Sequence, residues 1–320
     1  MSFLVRLPEE SYRDDALARF TANSPDFTLG NAQAMMWLSQ LAYETDDVGK
    51  ITRILTRFGL ELLDFGPNEL IPGSFRPKGC FIVARGPGAT FVAFAGTDPL
   101  KPQDVITDLR ARQTREGLHE GFAEATQSVQ LKVENAIGSG GARLPLFFTG
   151  HSLGGALATI SAKLARDDGF QVKAVYTYGG ARAGGPQFFN SYGPSLRDCT
   201  FRLVHGKDIV ASVPPSSVGG PFGSLLGEFQ HVGRLLHCPQ RSIFAEPAPT
   251  KSDGNEPDDF FGAAILAVLD IVGHMPSLKM LQKMDPRTLD DPTNDLPEQV
   301  RDHVPASYFR ALKMPLAPPP

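Results

Sequence analysis

The chain has little of several features that would assign it to a specialised class of protein. It holds 3 cysteines in 320 residues, an odd set, and a reduced, buried thiol is expected at Cys80 because that residue opens an apolar run. No Cys pair or His pair stands at ligand spacing, so no metal site is predicted. Lys and Arg form no run and the net charge is −4, so nucleic acid is not an expected partner.

Long apolar runs are lacking as well. The start of the chain turns proline-containing and acidic before an apolar signal core develops, and no apolar stretch is long enough to span a bilayer. We therefore expect a soluble chain with no transmembrane segment and no Sec-type signal, either cytoplasmic or exported without a visible signal peptide. The apolar segment from Phe260 to Val272 has helix length, and a helix of the core or of a dimer interface is favoured there over one that touches a membrane.

What the chain does contain fits one large α/β domain. With 42% hydrophobic residues over 320 positions it can bury a large core. Apolar runs alternate with segments of helical spacing, which indicates a mainly parallel sheet covered by helices. Two stretches change character, and we expect loop or helix insertions over the core at residues 213–229 and 247–282.

The expected elements follow one another along the chain. Two short strands separated by a Gly/Pro turn are predicted to form an antiparallel hairpin. The strands are predicted at residues 80–84, 90–95, 144–149, 172–178 and 200–205, and the helices at 27–43, 120–137, 153–166 and 306–313.

The most informative motif is the pentapeptide Gly150-His-Ser-Leu-Gly154, which lies between a predicted strand and a predicted helix. A serine on such a turn is held out of the sheet, and the flanking glycines allow neighbouring backbone to pass closely. The same pattern also occurs where a serine only caps a helix. Because a strand precedes the motif and a helix follows it, we favour Ser152 as a nucleophile for acyl transfer.

A serine hydroxyl needs a histidine to take its proton and an acid to orient that histidine. Asp208 stands in a turn directly after an apolar strand and is the predicted acid, with a turn-capping aspartate as the alternative. The candidate bases downstream of it are His231, His237, His274 and His303. His303 is the best placed, in a loop ahead of the last predicted helix, and His274 is its main rival.

The oxyanion that forms in acyl transfer requires donors aimed at it. One is the backbone N–H of Leu153, directly after the serine. The second is expected from Thr97, which follows a glycine at the end of an earlier strand and offers both an N–H and a hydroxyl. No cofactor is needed for this chemistry.

Taken together, these motifs resemble those of the class 3 lipases, the α/β-hydrolase group that includes the fungal triacylglycerol lipases. The resemblance runs from about Phe27 to Leu312. The segments that carry it are Thr149–Ala158 around the serine, Phe94-Ala-Gly-Thr97, Leu118–Phe122, Gly180–Gly184, Lys207–Val210 with Pro214-Pro215, His231-Val-Gly233, and Asp302-His303 with Tyr308.

The resemblance implies an α/β-hydrolase fold and a serine carboxylester hydrolase of lipase type. It places the nucleophile at Ser152, the acid at Asp208, the base at His303 and the oxyanion hole at Thr97 and Leu153, with His119 and His151 as supporting residues. The implied partner is a lipid or other ester substrate at a lipid–water interface. The chain departs from the family pattern at Ala95, Ala181 and Ala183.

Four functions stay open at this point. A lipase that cleaves acylglycerols or related fatty-acyl esters is the predicted one, and a short-chain esterase or a phospholipase is the alternative within the enzymes. From a different class, the chain could be a lipase-like scaffold that has lost catalysis. The scaffold is disfavoured because every catalytic residue type is present in order.

Overall fold

The computed structural model describes these parts of the chain: residues 6–24, 26–66, 79–86, 88–96, 112–139, 144–214, 216, 228–245 and 298–314. The predicted insertion at 247–282 and the apolar segment 260–272 within it lie outside the described residues, as does most of the insertion at 213–229. The organisation as one domain with two insertions therefore stays a prediction. None of the described helices is long and apolar enough to cross a membrane.

A seven-stranded sheet forms the centre of the described structure, and its strands lie side by side in chain order. The first three strands pair antiparallel, and the third to the seventh pair parallel. The predicted hairpin and the mainly parallel sheet are thereby confirmed. The strands are β1 (Glu61–Gly66), β2 (Phe81–Gly86), β3 (Ala89–Phe94), β4 (Leu146–His151), β5 (Val172–Tyr178), β6 (Thr200–His205) and β7 (Arg234–Cys238).

Helices cover both faces of this sheet. Thr28 begins the first one, because its side chain accepts a hydrogen bond from the Asn31 N–H at 3.1 Å and so caps the helix. The helices are α1 (Leu29–Leu41), α2 (Val48–Arg57), α3 (Glu120–Gly138), α4 (Leu153–Asp167), α5 (Pro186–Tyr192), α6 (Pro194–Asp198), α7 (Glu298–Arg301) and α8 (Pro305–Ala311).

The core is divided into two layers by the sheet. Successive side chains of β2 alternate between them: Phe81 and Val83 belong to one layer, Ile82 and Ala84 to the other. Helices α1, α2 and α8 pack on the face of Ile82, and α3 to α6 pack on the face of Phe81. Because both faces are covered, the central strands β3, β4 and β5 carry apolar residues on both sides, and this is why they are visible in the sequence as mostly apolar runs.

Six of these helices and strands were not predicted, α2, α5, α6, α7, β1 and β7, and one strand, β4, is shifted by two residues at both ends. β4 begins and ends two residues later than expected, since its last residues Gly150 and His151 pair with Thr177 and Tyr178 of β5. The segment His231-Val-Gly233, one of those that carry the family resemblance, lies directly before β7.

Helix α4 lies very close to the sheet, and glycines make this approach possible. A β-carbon on Gly154 would stand 2.3 Å from the carbonyl oxygen of Phe94 in β3, and one on Gly155 would stand 2.9 Å from the α-carbon of Gly180. Both contacts are with backbone, which cannot move aside as a flexible side chain would. The short distance between α4 and the sheet therefore depends on these residues having no side chain.

We expect Gly154→Ala to lower the free energy of unfolding by about 1 to 3 kcal/mol, because the added methyl group overpacks the contact with β3. Urea unfolding measures the change. Gly138→Ala is the matched control, since a β-carbon at this last residue of α3 meets nothing within 4 Å. Alanine there should be neutral or stabilising by up to about 1 kcal/mol. Equal effects of the two substitutions would contradict this packing.

Candidate active site

Ser152 lies on the turn that joins β4 to α4, and its backbone is strained. Its φ is 60° and its ψ is −133°, a left-handed conformation that a residue with a β-carbon rarely adopts. The Ser152 N–H donates to the Tyr178 carbonyl oxygen at 2.9 Å, which fixes the turn to β5. The side chain makes no capping hydrogen bond to α4, so the helix-cap alternative does not describe this serine.

Three residues predicted from distant parts of the sequence meet at this turn. The Nε2 atom of His303 lies 2.9 Å from Ser152 Oγ, and its Nδ1 atom lies 2.9 Å from each oxygen of Asp208. Ser152, Asp208 and His303 are 4%, 3% and 3% exposed, respectively, so solvent competes little for these hydrogen bonds. His303 stands in the turn between α7 and α8, and Asp208 in the turn after β6.

The direction of each hydrogen bond follows from the acid. An ionised carboxylate only accepts hydrogen bonds, so His303 Nδ1 carries the ring hydrogen and donates a hydrogen bond to Asp208. With Nδ1 protonated, the neutral ring has its free electron pair on Nε2, which accepts from the Ser152 hydroxyl. The ring is thereby in the tautomer that can remove the serine proton.

The Asp208 carboxylate has two further donors. The Val210 N–H donates to Oδ1 at 2.9 Å, and the Tyr308 hydroxyl donates to Oδ2 at 2.6 Å. Burial opposes ionisation, but the charge and hydrogen bond of His303 together with the hydrogen bond of Tyr308 lower the pKa of Asp208. The turn-capping alternative is also correct in part, since the bond to Val210 is a local cap of the turn.

The glycine after β5 provides the space for this carboxylate. Gly179 has a φ of 55°, and a β-carbon there would lie 2.1 Å from Asp208 Oδ2. Both the left-handed backbone and the close contact require glycine. The residue that follows β5 thus makes room for an acid that comes from the turn after β6.

A second histidine, His151, packs against the base His303. His151 stacks on His303 with ring centroids 4.7 Å apart, and its Nε2 lies 2.7 Å from the His303 carbonyl oxygen. A carbonyl only accepts, so Nε2 donates, and Nδ1 accepts from the Tyr43 hydroxyl at 2.8 Å. Burial, together with the charge of the nearby His303, lowers the pKa of His151 to about 3. His151 therefore stays neutral and adds no positive charge beside the base.

The remaining residues that the sequence predicts for the site are located as follows. Leu153 is the first residue of α4, and Thr97 and the rival base His274 lie outside the described residues. His231 is buried and its Nε2 donates to the Ala211 carbonyl oxygen at 2.7 Å, while the exposed His237 donates to Gly206. Among the candidate bases that the structure describes, His303 is the one that it brings to Ser152.

His119 has a structural position. Its Nδ1 accepts from the Phe122 N–H at 3.3 Å and so caps α3, and its ring stacks on Phe122. Ala181 and Ala183, where the chain departs from the family pattern, are buried in the core layer of α4. Between them Arg182 donates to the carbonyl oxygen of Pro214 at 2.8 Å, which holds the segment after the acid.

No role is predicted from the sequence for Tyr43 or Tyr308. Tyr308 is visible in the sequence only as the last residue of a motif. Tyr43 follows α1 and has no recognisable local pattern, and its partner His151 lies more than a hundred positions further along the chain. Both hydroxyls contribute to the site through contacts between segments far apart in the chain. Such contacts have no signal in the sequence near either residue.

Tyr308→Phe is expected to lower the free energy of unfolding at neutral pH by about 1 to 3 kcal/mol, because the buried Asp208 carboxylate loses a donor. The folded pKa of Asp208 is depressed, so this contribution is present above the unfolded pKa of aspartate and is lost as pH falls through the folded pKa. The difference from wild type should therefore shrink below about pH 4. Urea unfolding between about pH 3 and 7 measures it.

Tyr192→Phe is the matched control for this prediction. Its hydroxyl is buried in α5 and bonds the Thr200 hydroxyl at 2.9 Å, a partner that does not titrate. Loss of this hydroxyl should lower the free energy of unfolding by a similar amount, and that amount should not change with pH. A pH-independent difference for Tyr308→Phe as well would contradict the assigned bond to an ionised Asp208.

Residues 91–218 match the model of the class 3 lipase family. That stretch contains Ser152 and Asp208 and ends before His303. The secreted mono- and diacylglycerol lipase 1 of Fusarium solani is 39% identical over 106 residues, which are 32% of this chain and 31% of that protein. The chain thus matches less than a third of the length of this curated relative.

Two solved structures share the arrangement of the sheet and helices. A triacylglycerol lipase whose catalytic centre is described as a serine protease triad has a TM-score of 0.52 at 22% identity, covering 65% of this chain and 79% of its own. Lipase II from Rhizopus niveus also has a TM-score of 0.52, at 19% identity, covering 72% of this chain and 89% of its own. The chain therefore has the α/β-hydrolase fold, and its residues 91–218 are similar in sequence to the class 3 lipases.

Proposed function

We propose that the chain is a serine carboxylester hydrolase of lipase type, which cleaves acylglycerols or related fatty-acyl esters through an acyl-enzyme on Ser152. The observation that carries the proposal is the continuous series of hydrogen bonds from Ser152 through His303 to Asp208, 2.9 Å at each step. A serine hydroxyl is a poor nucleophile at neutral pH unless a base takes its proton. This series provides the base and a group that orients it.

In the first half-reaction, Ser152 Oγ attacks the carbonyl carbon of the ester while its proton passes to His303 Nε2. Asp208 stabilises the imidazolium that results. The tetrahedral intermediate then collapses, the bond from the carbonyl carbon to the alkoxy oxygen breaks, and the departing alcohol takes the proton from Nε2. Ser152 now carries the fatty-acyl group as an ester.

In the second half-reaction, water gives a proton to His303 Nε2 and its oxygen attacks the acyl carbon. The second tetrahedral intermediate releases the fatty acid, and the proton returns from Nε2 to Ser152 Oγ. His151 matters in both steps, because a neutral neighbour does not repel the imidazolium as it forms. Neither half-reaction consumes a cofactor.

The negative charge of each intermediate needs donors, and we assign them to Leu153 and Thr97. Leu153 begins α4, so its N–H has no partner within that helix, and it stands at the positive end of the helix dipole. Thr97 lies outside the described residues, but its neighbour Gly96 lies against the nucleophile: a β-carbon there would be 2.7 Å from Ser152 Cβ. Each donor is worth about 3 kcal/mol of the barrier.

An acylglycerol substrate is supported by the Fusarium relative, whose name is mono- and diacylglycerol lipase. Because that match covers only part of each protein, the substrate class remains part of the proposal. We place the activity in one catalytic domain spanning residues 1–320, since its proposed site draws on β4, on the turn after β6 and on the segment between α7 and α8. A short-chain esterase would use the same chemistry with a shallower acyl pocket.

Turnover of p-nitrophenyl esters from butyrate to palmitate, and of emulsified triglyceride, tests this function. We expect Ser152→Ala to lose about 10⁴-fold or more of kcat while remaining folded, because the nucleophile is gone. A fluorophosphonate should label wild type and should not label Ser152→Ala. The chain-length profile then separates a lipase from a short-chain esterase.

Ser161→Ala is the control, because Ser161 is a buried serine within α4 whose hydroxyl donates to Gln130 Oε1 at 2.7 Å. This variant should retain full turnover. Folded wild type that neither hydrolyses these esters nor reacts with the fluorophosphonate would reject the hydrolase and favour the non-catalytic scaffold.

A further inference from the structure

The carboxyl group of Asp302 is buried where the turn of the acid meets the turn of the base. The residue is 3% exposed, and its Oδ2 accepts from the Lys207 backbone N–H at 2.8 Å and from Gln240 Nε2 at 3.0 Å. Lys207 directly precedes Asp208, and Asp302 directly precedes His303. One hydrogen bond therefore joins the immediate neighbours of the proposed acid and base.

The backbone opposite this carboxylate is shaped to receive it. Gly206 has a φ of 56°, and a β-carbon there would lie 2.2 Å from Asp302 Oδ2. The same arrangement occurs at Gly179 and Asp208. In both places a carboxylate occupies the space that a side chain on a left-handed glycine would need, so Asp302 has a formed site of its own.

His303 depends on such contacts because the sheet does not carry it. It follows α7, which spans Glu298–Arg301 and so has only one turn, whereas Asp208 lies in the short turn that begins at the end of β6. The turn before Asp208 is itself fixed to the sheet edge, since the Gly206 N–H donates to the Cys238 carbonyl oxygen of β7 at 2.8 Å. Asp302 thus links the segment of the base to a turn that the sheet holds rigidly.

We propose that Asp302 is a positioning residue, which holds His303 at hydrogen-bond distance from Asp208 through its bond to the Lys207 N–H. This inference rests on the proposed function, in which His303 is the base. Asp302 acts through geometry and does not contact the reacting atoms. A shift of about 1 Å in a catalytic group can cost about 100-fold in rate, so a buried bond that sets this distance matters for turnover.

Substitutions at Asp302 separate the effect of the side chain's shape from the effect of its charge. Asp302→Asn keeps the shape and one acceptor oxygen for the Lys207 N–H. Asp302→Glu keeps the charge but lengthens the side chain by one methylene group, which displaces the carboxylate from its position opposite the Lys207 N–H. If Asp302 acts by position, Asn should reduce kcat by less than about 5-fold, and Glu and Ala by about 10- to 100-fold, with KM nearly unchanged.

The far-downfield proton resonance of His303 Nδ1–H gives a readout that does not depend on turnover. It should persist in wild type and Asp302→Asn and should weaken in Asp302→Glu and Asp302→Ala while these variants remain folded. Glu298→Gln is the control, because it removes an ion pair of 2.8 Å with the Lys207 side chain on the same turn and leaves the backbone contact intact. It should change neither kcat nor the resonance.

The proposal is overturned if folded Asp302→Ala keeps its kcat, or if kcat falls while the resonance is unchanged. If Asp302→Ala does not fold, the comparison of Asn with Glu decides, and higher activity in Glu would show that charge and not position is needed. Wild type with the resonance but without ester turnover would reject the proposed function alone. Turnover that requires Ser152 but is indifferent to all Asp302 variants would reject the positioning role alone.

Discussion

An ionised carboxylate at Asp208, where only 3% of the residue is exposed, is unfavourable by several kcal/mol unless fixed donors replace its water. Three donors do so: the His303 ring, the Val210 N–H and the Tyr308 hydroxyl. Each comes from a different segment, and Gly179 leaves the space that they enclose. The placement of β5, the turn after β6 and α8 around the site can be understood as the packing that satisfies this one group.

The electrostatics of the site follow from the same group. Asp208 fixes the tautomer of His303 and so decides which ring nitrogen faces Ser152. His151, stacked on that ring, is kept neutral because burial and the charge of His303 oppose its protonation. One negative charge and one chargeable ring are thus held together without a second cation, so no neighbouring histidine charge opposes the imidazolium as it forms.

The parts of this site that the sequence predicts are the local ones. The turn at Ser152 could be recognised because strand, glycines, serine and helix are contiguous, and Asp208 because it directly follows an apolar strand. β1 could not, since its residues are only half-buried and give no clear alternation. α2 contains Gly49 and two threonines, which weaken its helical signal. Tyr43 acts through a contact made only after folding, so no spacing in the sequence marks it, and Asp302 is visible in the sequence only as a member of a motif, without a role.

The proposed hydrolase mechanism requires that Ser152 carry the acyl group, and its most direct test is to trap that intermediate. The protein is mixed with a p-nitrophenyl ester, quenched in acid within the first turnover, digested and analysed by peptide mass spectrometry. We expect the peptide that contains Ser152 to gain the mass of the acyl group, and the amount of this acylated peptide to equal the initial burst of p-nitrophenol. Hydrolysis with no acyl group on Ser152, or with the acyl group on another residue, would contradict this mechanism.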